Sequence, residues 1–134
     1  MTMRFLTTLA GILVSLSPAI AADQQAKEPT YDMDHYVVGF LKRGPKWTPQ
    51  STPETQRIQD GHMANIRRMA AIGKLVVAGP FEDNGDLRGM FIFKCSLEEA
   101  KREAEQDPAV QAGRLILELH PWFAAKGIKP DPPK

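Results

Sequence analysis

The chain has 134 residues, with 17 basic and 16 acidic side chains and a formal charge of only +1. Its Lys and Arg residues are spread rather than blocked, so it offers no field for nucleic acid or an anionic membrane surface. A single cysteine, Cys95, excludes an intrachain disulfide, and stability must come from packing. Cys95 closes an apolar stretch and reads as a small buried hydrophobe rather than a reactive thiol.

At the N-terminus, Arg4 precedes an uncharged apolar run from Phe5 to Leu16, then Pro18 and Ala19-Ile20-Ala21-Ala22. This is the order of a secretory signal peptide. The run is roughly a dozen residues long, short of the roughly 20 that span a bilayer. We therefore expect residues 1–21 to be cleaved rather than kept as an anchor, and the mature protein to be periplasmic or secreted, with no membrane association. With no cysteine near the cleavage site, a lipoprotein is excluded. Cleavage removes Arg4 and no acid, leaving a near-neutral chain of about 113 residues, enough for one domain with its own core. Residues 22–33 are polar and aperiodic, a flexible linker; residues 129–134 are a Pro-rich charged tail. The folded domain is expected over residues 34–128.

The first strand is expected from His35 to Lys42, with Tyr36, Val38 and Phe40 on one face and Val37, Gly39 and Leu41 on the other. A loop from Arg43 to Gln50 carries Trp47. Thr52 followed by Pro53 supplies an N-cap and a proline at the first helical position. The helix so started should run to about Ile72, with Gly73 ending it. Its apolar stripe is Ile58, Ile66, Met69 and Ile72; His62 lies on that stripe, four residues from both Ile58 and Ile66, and so faces the sheet.

Leu75 to Ala78 is an apolar run that stops at Gly79-Pro80, and Gly89 to Cys95 is another. Between them, Glu82-Asp83-Asn84-Gly85-Asp86 carries an Asn-Gly hairpin signal. Ser96 and Glu99 form a capping box for a second helix to about Gln106. Asp107-Pro108 interrupts that helix, and a short turn to Gly113 leads to the last strand, Arg114 to His120.

The order β-α-β-β-α-β is the ferredoxin-like split motif, an α+β fold with an antiparallel sheet. Apolar residues occupy both faces of all four strands, which half-solvated strands do not show. Two helices cover one face only, so the other is expected to pair with a second copy, giving a homodimer packed sheet to sheet.

With right-handed crossovers, the loop after the first strand, the hairpin and the end of the second helix meet at one edge. Arg43, Trp47, Pro80, Asn84 and Asp107 are expected there, with His62 pointing in from below. An inward His62 beside a carboxylate reads in two ways: a hydrogen-bonded core histidine, or an oriented general acid or base. Asp107 is likewise either the end of a helix or the partner of that histidine. Gly61 favours a close approach, since glycine inside a helix costs roughly 1 kcal/mol against alanine. Arg43, Lys46 and Trp47, with Gly79 and Pro80, either hold an anionic or aromatic substrate or form a solvated loop. His35 and His120 are expected to be neighbours beside Asp34 at the opposite edge, and read either as a weak metal site, with no third ligand spaced for zinc, or as ordinary surface histidines. No phosphate loop, nucleophile elbow or haem attachment motif is present, and we expect no cofactor.

Several stretches resemble the YciI-like (YCII-related) proteins. They are His35-Tyr36-Val37-Val38, the run from Leu41 to Pro49, His62-Met63-Ala64-Asn65-Ile66, the run from Gly73 to Phe81, Asp107-Pro108-Ala109-Val110 and Glu118-Leu119-His120-Pro121-Trp122. The resemblance spans about residues 34–128. It implies a dimeric α+β barrel and a His and Asp pair falling on His62 and Asp107. Some relatives are dehydrochlorinases or lie near muconolactone isomerases, which implies proton transfer on a small cyclic or aromatic-derived substrate. The chain thus reads as an exported lyase or isomerase without cofactor, with a non-catalytic small-ligand-binding dimer as the alternative. A third option is a barrel that oxidises quinol-like compounds or binds haem.

Overall fold

Both long helices start where side chains can take over the backbone bonds that a helix end leaves open. Thr52 Oγ1 accepts from the Thr55 amide at 3.2 Å and Thr55 Oγ1 from the Thr52 amide at 2.8 Å. Ser96 and Glu99 exchange the same pair of bonds at 3.2 and 3.1 Å. Each cap stabilises its helix by about 1 kcal/mol. In the computed structural model, which describes residues 30–128, these helices are α1, Pro53–Ala71, and α2, Leu97–Glu105; a short α3, Pro108–Gln111, follows Asp107. The expected signal peptide, its cleavage site, residues 22–29 of the linker and the tail lie outside the described residues. Among the described residues no helix is long and apolar enough to cross a membrane.

The strands are β1 (Met33–Arg43), β2 (Leu75–Pro80), β3 (Leu87–Phe93) and β4 (Leu115–Ala125). They form one antiparallel sheet in the order β2-β3-β1-β4, so the α+β, ferredoxin-like expectation holds. Against one face, Met69 of α1 and Ala100 of α2 pack on Val37, Leu41, Leu75, Phe91 and Phe93. Leu115, Leu117, Leu119 and Cys95 complete that core. Burial pushes the Cys95 thiol up from its ordinary value, consistent with a packed rather than reactive sulfur.

The other face alternates with it along every strand. Val38 sits opposite Ile92 and His120, Phe40 opposite Met90 and Glu118, and Tyr36 opposite Trp122. A shallow hollow of about 290 Å³ lies among Val38, Phe40, Met90, Ile92 and Trp122. Among the described residues, no helix lies over it.

Three expectations need correction. Ile72 is 49 % exposed, because α1 ends at Ala71 and the chain turns at Gly73, φ +74°, before the stripe reaches it. The last strand continues to Ala125, past Pro121; β4 is a sheet edge, where a missing N–H costs no ladder bond. That longer pairing separates the two histidines. His35 is opposite Phe123 and His120 opposite Val38, which puts them on opposite faces. His35 packs on Phe123 and His120 Nε2 lies 2.7 Å from Glu118 Oε1. Among the described residues no three His, Cys, Asp or Glu side chains gather as a metal site.

Candidate active site

The site begins with a missing side chain. A Cβ on Gly61 would lie 2.9 Å from Cγ and 3.2 Å from Cβ of Pro108, so glycine at this position of α1 lets the Pro108 ring of α3 sit against the helix. The close approach that Gly61 implied is therefore the docking of α3, and it carries Asp107 to His62, the next residue along α1.

Asp107 is fully buried and spends both oxygens. Oδ1 caps α3 by accepting from the Ala109 amide at 2.8 Å. Oδ2 lies 2.8 Å from His62 Nδ1 and accepts from Asn65 Nδ2 at 3.2 Å. The two readings of Asp107 are thus one arrangement: the helix cap is also the histidine's partner. Burial pushes the carboxyl up, but the His62 bond and charge, the Ala109 amide and Asn65 outweigh it and hold it below the ordinary carboxylate range. An ionised carboxylate only accepts, so the proton between them belongs to His62 Nδ1, and whenever the ring is neutral Nε2 carries the lone pair.

Asn65 has its own reason to present its NH₂ to Asp107. Its carbonyl oxygen accepts from Arg68 Nε at 3.1 Å and Nη2 at 2.9 Å. Arg68 pairs with the buried Glu103 of α2 at 2.7 Å, and Glu103 also takes Lys74 at 3.0 Å. Lys74, then Arg68, hold the Glu103 carboxyl below its usual range. The amide cannot flip without facing donor to donor at one end.

On its other side, His62 lines a cavity of about 400 Å³. The imidazole stacks on Phe91, with ring centroids 6.1 Å apart and planes 19° apart. Leu41, Ile58, Ile66 and Leu115 supply further apolar wall, and Trp47, Gly79 and Pro80 lie on it as well. Arg43 does not: it stacks on Trp47, its guanidinium carbon 4.0 Å from the ring centroid, and donates to the Asn84 carbonyl at 2.9 Å. Lys46 is exposed and also outside the wall. The arginines that do line the cavity are Arg88 and Arg114.

Sequence reasoning missed Asn65, Arg88 and Arg114. For Asn65 a signal existed, since it lies three residues after His62 and so on the same helix face. For the arginines none did, because both sit at strand beginnings where the direction of a long side chain is set by loop contacts.

Fold and site together define a ferredoxin-like α+β protein with a buried carboxylate–imidazole pair opening on an apolar cavity. The YCII-related domain matches at residues 45–122, more than half of the chain, and the protein belongs to the YCII-related family. No curated protein matches it. Among solved structures it is similar to 5-chloro-2-hydroxyhydroquinone dehydrochlorinase from Burkholderia phenoliruptrix AC1100, in complex with 2,5-dihydroxybenzoquinone. That likeness has 23 % identity and a TM-score of 0.49, covering 65 % of this chain and 92 % of the other.

Proposed function

We propose that this protein is a cofactor-independent lyase or isomerase that moves a proton on a small cyclic or aromatic-derived molecule, with His62 as the base and Asp107 as its orienting partner. One observation carries this reading: the 2.8 Å contact between Nδ1 and Asp107 commits one ring nitrogen and leaves the other basic at the wall of an apolar cavity. Nε2 would take a proton from a carbon next to a carbonyl, or from a ring hydroxyl, and the imidazolium so formed would be shared with Asp107. Returning the proton to another atom of the substrate completes an isomerisation. Departure of a leaving group with the freed electron pair, with the proton passed to solvent, completes an elimination. Apolar walls keep water from competing for the proton.

Solvent deuterium exchange tests this directly. In D₂O, the protein should exchange acidic C–H positions in at least one of a panel of cyclic ketones, small lactones and polyhydroxybenzenes, read by NMR. His62→Gln should remove that exchange while circular dichroism stays unchanged; undiminished exchange overturns the reading.

Two further parts belong to this proposal. The protein is a homodimer closed over the sheet face that carries Tyr36, Val38 and Phe40, a reading supported by the apolar character of that face. It is also exported, and N-terminal sequencing of the purified protein should begin at Ala22; a chain that retains residues 1–21 overturns this part.

A further inference from the structure

Arg88 and Arg114 stand out by where they are. Among the described residues several cations find acids: Lys42 pairs with Glu118, Arg68 and Lys74 with Glu103, Lys94 with Asp34. Others, such as Arg43, Lys46 and Arg57, do not, but none of these lines the cavity. Neither cavity arginine has a carboxylate within ion-pair distance among the described residues. Arg114 donates Nη1 to Thr48 Oγ1 at 3.1 Å and Nη2 to the Thr48 carbonyl at 3.0 Å. Arg88 donates Nη1 to the Gly85 carbonyl at 3.2 Å. A guanidinium has five N–H donors, so these neutral contacts hold each group in place and leave donors unused.

The nearby acids do not answer them. In the hairpin, Asp83 turns Oδ1 to the Gly85 amide at 3.1 Å, and Glu82, Asp83 and Asp86 form no ion pair among the described residues. Asp107, the acid closest to the reactive nitrogen, spends both oxygens away from the cavity. Besides Gln59 and His62, the wall therefore carries two fixed cations among apolar side chains, a placement that is unfavourable to partly desolvate unless an anion arrives. Beside Arg88 the Trp47 ring, 5.9 Å from its guanidinium and backed by Arg43, offers flat apolar surface.

We infer that the cavity takes a small cyclic carboxylate, its oxyanion held by Arg88 and Arg114 and its ring against Trp47, within reach of His62. This rests on the reading of the same site as a small-molecule site and names its substrate class. A cavity of about 400 Å³ suits a single-ring compound rather than a larger ligand. Guanidinium–carboxylate bonding is geometrically matched and charge-assisted, which makes charge on the ligand the main discriminator.

The test is calorimetric titration of the purified protein with benzoate and cyclohexanecarboxylate, each against its neutral amide, and with phenol. Each carboxylate should bind at least about tenfold more tightly than its amide and than phenol, as expected for a charge-assisted anchor, and added salt should narrow that gap. Arg88→Met with Arg114→Met should bring carboxylate and amide to parity. His62→Gln should keep the carboxylate preference, which separates this inference from the proton-transfer reading: loss of exchange with preserved preference is the expected pattern. Equal binding of carboxylate and amide by the native protein, phenol binding as tightly as benzoate, or no carboxylate binding up to about 10 mM overturns it. None of these outcomes depends on the double variant folding.

Discussion

The two faces of the sheet are similar in composition and different in what surrounds them. Under the helices, Phe91 and Phe93 are sealed by Met69 and Ala100, and the polar groups admitted there, His62, Asn65 and Asp107, satisfy one another. Across the sheet, Tyr36, Val38, Phe40, Ile92 and Trp122 are apolar too, with Lys94 over the Tyr36 ring, Glu118 opposite Phe40 and paired with Lys42, and His120 opposite Val38. No helix among the described residues covers this face, which is why its pairing with a second copy is a proposal to be tested. The difference teaches that apolar alternation marks what leaves water, while buried polar groups with every bond accounted for mark what is positioned.

The sharpest way to break the comparison is to remove volume from the helix side. Phe93 has no exposed surface, and Phe93→Ala should cost about 3–5 kcal/mol in urea unfolding, from lost burial plus a cavity. A cost below about 1 kcal/mol would mean that this face is not the core.

Asp107→Asn sharpens it next. An amide has one acceptor oxygen where the carboxylate uses two. Either the Ala109 cap is lost, or the NH₂ faces His62, forces the proton onto Nε2 and removes the base. Proton exchange should fall about 10²–10⁴-fold. The same variant carries a pH signature. The folded Asp107 carboxyl titrates below its unfolded value, so its contribution to stability is complete above the unfolded value and is lost as pH falls through the folded one. Below about pH 4 the native protein should therefore lose unfolding free energy more steeply than Asp107→Asn. Parallel slopes would show that the carboxylate is not held as described.

Gly61→Ala acts through the same contact with less force. A methyl group here overlaps Pro108, while alanine favours the helix by about 1 kcal/mol, so stability should change by less than about 1 kcal/mol. Activity should fall about tenfold as Asp107 is displaced from His62. Unchanged activity would show that the Gly61–Pro108 approach does not position the pair.

What was legible in the chain follows the range of the forces involved. Thr52-Pro53 and Ser96 with Glu99 act over three residues and read directly as caps. His62 read as inward because Ile58 and Ile66 flank it at helical spacing. Gly61 announced a close neighbour but not which one, since Pro108 arrives through tertiary docking. Arg68 and Glu103 join α1 to α2 behind Asn65, and on either helix alone a charged residue reads as solvent-facing. Arg43 was expected at the substrate, whereas a shift in register between Leu41 and Lys42 and the Asn84 bond accompany its turn behind Trp47.

The smallest effect decides the larger question. Trp122 is 41 % exposed beside Tyr36, ring centroids 6.0 Å apart, so Trp122→Ser removes little burial from a separate protomer. At dilutions where protomers are apart, it should lower unfolding free energy by about 0.5 kcal/mol or less. At high concentration it should act differently, because a tryptophan closed between two sheets is the kind of residue that carries about 2 kcal/mol or more of association. Sedimentation equilibrium should then show the native chain at twice the protomer mass and the variant shifted toward one. If native chain and variant both sediment as protomers, the second face is a solvated surface after all, and its likeness to the core is compositional only.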